Sequence, residues 1–141
     1  MRTLVSRGRD VSQFMAKGIK KPSRKALIQK ADKLWSDIIK KRDKQCIYCG
    51  SRHQLNAHHI FTKGRHGNLR WNTDNGVTLC AKCHTFGVHI NPAPYMLKII
   101  EYVGYDVMEK LRVQAQIKPT PLRMDDIRSV VDILNNIIKP P

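Results

Sequence analysis

All four cysteines and all six histidines of this 141-residue chain lie between Cys46 and His89. Within that stretch Cys46-Ile47-Tyr48-Cys49 and Cys80-Ala81-Lys82-Cys83 form two Cys-x-x-Cys pairs with 30 residues between them. A two-residue gap lets a tight turn aim both thiolates at one ion, and two such turns supply the corners of a zinc tetrahedron. Gly50, directly after the first pair, suits the backbone such a knuckle needs. The competing readings are a redox Cys-x-x-Cys site or four unrelated buried thiols. Redox motifs normally come singly, and the second pair would be surplus to one. The expectation is a structural Zn2+ on Cys46, Cys49, Cys80 and Cys83, which by itself says little about function.

Other residues beside the knuckles say more. His58 and His59 sit in Leu55-Asn56-Ala57-His58-His59-Ile60-Phe61, an apolar-flanked run that reads as a strand. Asn75 lies in Thr73-Asp74-Asn75-Gly76-Val77, and His84 follows Cys83 where a helix would begin. A four-thiolate structural zinc needs none of these. A metal-dependent hydrolase needs ligands with open positions, a base titrating near neutrality and a group to orient that base. Adjacent strand residues point to opposite faces, so different tasks for His58 and His59 are easier to build than a shared ion. The plain alternative is one core histidine and one surface histidine.

Cys46-x-x-Cys49, Ala57-His58-His59-Ile60, Asn75 and Leu79-Cys80-x-x-Cys83-His84 together resemble the zinc-supported branch of the HNH endonucleases. The core of that family is a two-stranded hairpin and a helix around one metal, the ββα-metal fold. The resemblance covers residues 44–90. Leu69-Arg70-Trp71 ahead of Asn75, with Tyr95 to Gly104 following, is similar to the NinG-type recombination nucleases of phages. The HNH resemblance implies His59 as the general base that takes a proton from the attacking water. It places His58 where the family has a metal-binding residue, Asn75 where a residue orients the base, and His84 as a ligand of the catalytic metal. It also implies hydrolysis of DNA to 5′-phosphate and 3′-hydroxyl ends.

Some relatives add a ligand four residues after the last motif histidine, where this chain has Val88. His89 is one residue further, roughly 140° round an ideal helix from His84, and reaches the metal only if the helix loosens at Gly87. Imidazole ligands suit Zn2+, Ni2+, Mn2+ or Co2+, and Mg2+ is allowed if water and phosphate complete the shell. His53 and His66 fall in turns. His66 reads as a phosphate contact or a solvated side chain rather than a ligand.

Lys and Arg number 26 against 11 Asp and Glu, a net charge of +15, which points to a polyanionic partner. Residues 1–45 carry 14 basic and 4 acidic side chains, 46–91 carry 5 and 1, and 92–141 carry 7 and 6. Lys63, Arg65 and Arg70 lie between His59 and Asn75 and are expected to face DNA beside the metal. Lys40, Lys41 and Arg42 are expected to add phosphate contacts, with steep salt dependence. A solvated basic face is the alternative for any one of them.

Four segments are expected to carry the site. Residues 1–22 read as a basic arm without periodicity. Residues 23–43 read as an amphipathic helix, capped by Ser23, with Leu27, Ala31, Leu34, Trp35, Ile38 and Ile39 on one stripe. Residues 44–91 hold the nuclease-like core. In residues 92–141, Tyr95 to Val103 closes on Gly104, Tyr105 to Gln116 forms a second short helix, Lys118-Pro119-Thr120-Pro121 is a stiff break, and a last amphipathic helix runs through Ile127, Val130, Val131, Leu134 and Ile138. That helix could close the chain's own core or pair with a second copy as a homodimer.

The expected fold class is α+β: a small, mostly helical protein around a ββα-metal core with a four-cysteine zinc site. The expected function is a metal-dependent HNH endonuclease of phage or prophage origin acting on DNA, nicking or structure-selective. A non-catalytic zinc module that binds DNA is the alternative, and an RNA nuclease is a third. No run of 18 or more apolar residues is present, and the first 18 residues lack a signal-peptide stretch, so the expected location is cytoplasmic and reducing.

Overall fold

The computed structural model describes residues 20–140, so most of the basic arm lies outside the described residues. Helix α1 spans Arg24–Asp43, and the Ser23 hydroxyl accepts the Ala26 N–H at 3.2 Å, as an N-cap should. Its last turn carries Lys40, Lys41 and Arg42, whose charge suits the negative end of the helix, and Lys44 closes it at φ +63°. Leu27, Ala31, Trp35, Ile38 and Ile39 are buried along one side, as their spacing requires. Helix α4, Met124–Ile138, returns across the molecule to pack on that stripe, placing Val131 and Leu134 against Ala31, Trp35, Ile38 and Ile39. The last helix thus closes the chain's own core.

Strands β1 (Leu55–His59) and β2 (Gly76–Cys80) form one antiparallel pair, with His58 opposite Val77 and His59 opposite Gly76. All five residues of β2 are buried. Gly76 is where α1 comes closest: a Cβ there would overlap the Trp35 indole and press on Ile39. Asp43, buried at the end of α1, accepts from the Thr78 N–H at 2.7 Å, from the Tyr102 hydroxyl at 2.9 Å and from Arg42 Nε at 2.6 Å. One carboxylate thereby ties the first helix, the second strand and the next helix together.

β1 ends two residues short of the expected Phe61. Beyond Gly76 the partner strand gives way to a 3-10 turn, Thr73–Asn75, and the Asn75 side chain takes over the pairing. Its Oδ1 accepts from Phe61 N–H at 2.7 Å and its Nδ2 donates to the Phe61 carbonyl at 2.9 Å. Helix α2, Pro92–Val103, begins three residues before the expected Tyr95, because Pro92 in the first turn forfeits an N–H that has no helical partner there. Gly104 at φ +91° ends it and leads into α3, Tyr105–Ala115. The carbonyls at the end of α3 accept from the long β1–β2 connection: His66 Nδ1 bonds Ala115 O at 3.2 Å and Asn68 Nδ2 bonds Gln114 O at 2.8 Å. Among the described residues no helix is long and apolar enough to cross a membrane. The result is a mixed, mostly helical protein with one two-stranded sheet, as the α+β expectation has it.

Candidate metal centres and the histidine cleft

The two knuckles meet at the Cys80 end of the sheet. The first is docked by the Ile47 N–H bond to Thr78 O at 3.0 Å and turned by Gly50 at φ +74°, and the second grows out of β2 itself. The four sulfurs of Cys46, Cys49, Cys80 and Cys83 all lie within 4.8 Å of one another. Cys49 Sγ and Cys80 Sγ are 3.7 Å apart. Two ligands of a tetrahedral zinc at ~2.3 Å from each sulfur stand about 3.8 Å apart, so the spacing fits that ion. The chemistry fits as well. Burial opposes ionisation of Cys46, but the backbone N–H groups of Cys49, Cys80 and Tyr48 outweigh it and lower its pKa to about 7. Burial, with the neighbouring thiols of Cys49 and Cys80, pushes Cys83 up to about 12. Four thiolates this close would need a cation between them, and these four sulfurs could hold one. Tyr48 and Tyr95 stack beside them at 4.0 Å.

On the other side of β2's exit is a second cluster, this time of imidazoles. His58 comes from β1; His84 and His89 come from a π-helical segment, Cys83–Val88, and the residue that ends it. Their ring nitrogens lie within the same 4.8 Å limit, with ring centroids 5.3 Å apart for His58–His84, 5.7 Å for His58–His89 and 4.7 Å for His84–His89. The wider π turn, bonding i to i+5, is what brings residues five apart together where an α-helix would splay them. Tyr95 packs directly on Gly87 within this turn, where a Cβ would overlap its hydroxyl. Burial, then the nearby His84 and His89 rings, lower the His58 pKa to about 4. Burial and His89 lower that of His84. Rings held neutral present lone pairs, which is the state a divalent cation needs.

His59 turns its ring toward α1, while the His58 ring meets His84 and His89. The His59 ring stacks on Trp35 of α1 at 3.8 Å and 8°. Its Nε2 lies 2.8 Å from the Arg70 carbonyl. A carbonyl only accepts, so the neutral ring carries its proton on Nε2 and leaves the Nδ1 lone pair free. Burial lowers its pKa, while the bond to Arg70 works in the opposite sense. His58, His59, His84 and His89 line one cleft of about 430 Å³ with Lys63 and Asp32. A cavity of about 460 Å³ between α1, α4 and residues 67–72 has no histidine, cysteine or carboxylate in its lining.

Asn75, to which the HNH resemblance assigns orientation of the base by side chain or backbone, spends its side-chain hydrogen bonds on backbone groups rather than on the His59 ring. It is fully buried, and besides its bonds to Phe61 its Nδ2 donates to Leu69 O at 3.1 Å. It holds the segment after His59 against the segment carrying Arg70. The six expected DNA contacts divide. Arg70 is committed to Asp32 through Nε and Nη2 at 2.8 and 2.6 Å. Arg42 is committed to Asp43 and to the carbonyls of Thr73 and Gly76 at 2.9 and 2.7 Å. Lys41 donates to Ile138 O at 3.2 Å and Lys40 pairs with Asp37 at 3.4 Å. Lys63, half exposed at the cleft, lies 3.5 Å from Asp32, and Arg65 is exposed.

The sequence gives no reason to single out Asp32, and it sets Trp35 on the apolar stripe, as core before a base-stacking platform. Nothing local distinguishes an Asp on a basic helix. Trp35 is a core residue and also the surface on which His59 rests.

No match to the chain was found among curated proteins or among solved structures. A family model does match, that of the bacteriophage lambda NinG protein, over residues 7–140. The match runs through both clusters and all four helices, well beyond the short run from Leu69 to Gly104 on which the sequence likeness rests. The chain belongs to the bacteriophage lambda NinG family.

Proposed function

We propose that this phage-family protein is a metal-dependent endonuclease of the HNH type, hydrolysing phosphodiester bonds of DNA. The observation that carries the reading is one cleft holding two kinds of imidazole: a cluster of three suited to a cation, and His59 with its proton on Nε2 and Nδ1 open. A divalent cation on His58, His84 and His89 would supply positive charge to a phosphate oxygen as the bond breaks. His59 Nδ1 accepts the proton of the attacking water, and the Arg70 carbonyl with the Trp35 face keeps the ring aimed while its charge develops. Lys63, at the cleft wall, meets a neighbouring phosphate. The four-cysteine site holds the start of the π segment and takes no part in proton transfer.

A zinc module that binds DNA without cutting it is the second reading, favoured by the net charge of +15 and by two clusters that could each serve as a staple. Cleavage of supercoiled plasmid at low salt decides between them, with EDTA, Mg2+, Mn2+, Ni2+ and Zn2+ in parallel and wild type beside His59→Ala. Metal-dependent nicking, lowered about 10²- to 10⁴-fold in the variant with DNA affinity and zinc content unchanged, is expected. Retardation without cleavage by both proteins, on DNA and on RNA, would leave the binding module.

A further inference from the structure

His59 is held by its face and by its N–H edge from a single turn of α1, a helix outside the cysteine–histidine segment. The face contact is the Trp35 indole. The edge contact is the Arg70 carbonyl, in a connection with no sheet or long helix to fix it. Side chains fix it instead. Arg70 Nε and Nη2 reach Asp32 Oδ1 and Oδ2 at 2.8 and 2.6 Å, and Trp71 Nε1 donates to the same Oδ1 at 2.8 Å. Asp32 precedes Trp35 by three residues, so both lie on adjoining parts of one face of the helix. Gly76 lets the helix come this close to the sheet.

We propose that Asp32 is a positioning residue for His59, acting through the side chain and carbonyl of Arg70. The proposal deepens the reading of His59 as the base and rests on it for its catalytic consequence. Asp32 lines the cleft, yet one oxygen serves two donors and the other serves Arg70 and faces Lys63 at 3.5 Å. Oxygens so engaged are poorly placed to bind a cation or take a proton. Their task is geometric: a doubly hydrogen-bonded Arg–carboxylate pair has a preferred plane and direction, and it transmits both to the carbonyl that accepts the His59 Nε2–H hydrogen bond. Displacing that carbonyl frees the imidazole to move its proton to Nδ1, which would remove the lone pair that the base reading needs there.

The test reads the tautomer directly. Histidine ring-nitrogen NMR on the zinc-loaded full chain separates the Nε2–H form from the Nδ1–H form. Wild-type His59 is expected in the Nε2–H form. Asp32→Asn, nearly the same size but uncharged, is expected to show a mixture, Arg70→Gln the same mixture, and the double variant no more than either. On plasmid, Asp32→Asn should lower kcat about tenfold or more with KM unchanged, since a small misplacement of a catalytic group costs rate rather than binding. A His59 that stays wholly Nε2–H in Asp32→Asn overturns the proposal, and a lowered Tm alone would make Asp32 a stabilising tie. Should Asp32→Asn fail to fold, Arg70→Gln leaves α1 intact, and an unchanged tautomer there overturns it equally. If wild type cuts no nucleic acid, the nuclease reading fails, while the spectra still decide the assignment of Asp32.

Discussion

The cysteine cluster and the histidine cluster share the exit of β2, where Cys80 and His84 are four residues apart, yet they are built to opposite ends. The cysteines offer four soft ligands, three of them buried, with stacked tyrosines beside them. Such a set can satisfy an ion completely and leaves no position for a substrate. The histidines offer three imidazole ligands grading from half-buried to exposed, beside a cleft of about 430 Å³. A set of three leaves coordination positions open to water or phosphate. One cluster fits a staple and the other a working site, and the segment Cys83–Val88 is shared by both.

The largest effect expected from this contrast is at the staple. Cys80→Ala removes a ligand and loosens the end of β2, and structural zinc sites contribute on the order of 10 kcal/mol of folding free energy. Loss of cooperative thermal unfolding, together with loss of bound zinc, is the expected outcome. A variant that melts normally would break the contrast at its stronger side.

His84→Ala should act on the other cluster alone. We expect metal content to fall from two equivalents to one, measured by mass spectrometry, with the cooperative transition retained and cleavage lost. If zinc at the cysteines is lost as well, the two clusters form one unit.

Acid should distinguish them further. Because burial lowers the His58 pKa to about 4 from an ordinary 6.5, the folded chain binds fewer protons there than the unfolded chain between those values. The associated stability is complete above about pH 6.5 and lost as pH falls toward 4, by at most about 3 kcal/mol. Urea midpoints from pH 7 down to 4.5 should fall in wild type and fall less in His58→Gln. A midpoint that rises in acid would contradict the burial of this ring.

The smallest effect expected is at Gly87, where the two clusters are mechanically joined. Gly87→Ala forces the added methyl against Tyr95, an overpacking that costs about 1–3 kcal/mol. The π turn should relax, and affinity at the histidine cluster should drop more than zinc retention at the cysteines. Equal losses at both would mean that the turn does not set the His84–His89 spacing.

Much of the scaffold was legible because its signals are local. Ser23 caps α1, the stripe from Leu27 to Ile39 is buried, Gly104 parts two helices, and the Cys-x-x-Cys spacing brings four sulfurs together. The likeness to NinG proteins, read from few residues, extends across residues 7–140. Less legible were positions where a tertiary contact overrode a local preference. β1 stops at His59 because the Asn75 side chain replaces a strand partner, and α2 starts at Pro92 rather than Tyr95. His89 was conditional on a loosening at Gly87, and the π segment is that loosening. Basic residues read as facing a nucleic acid proved hardest to judge: Arg42 and Arg70 spend their guanidinium groups on carboxylates and carbonyls of the chain itself.

By itself the sequence determined which four cysteines come together, that two histidines stand side by side on the first strand, and the amphipathic faces of α1 and α4. These follow from spacing and periodicity, which are properties of neighbours along the chain. Only the tertiary structure decided that α4 closes on α1, that the carbonyl facing His59 belongs to Arg70, and that Asp32 and Trp35 stand behind that ring and carbonyl. Those contacts join residues far apart in the chain, and no local pattern encodes which carbonyl or carboxylate will arrive opposite a given ring once the layers have packed.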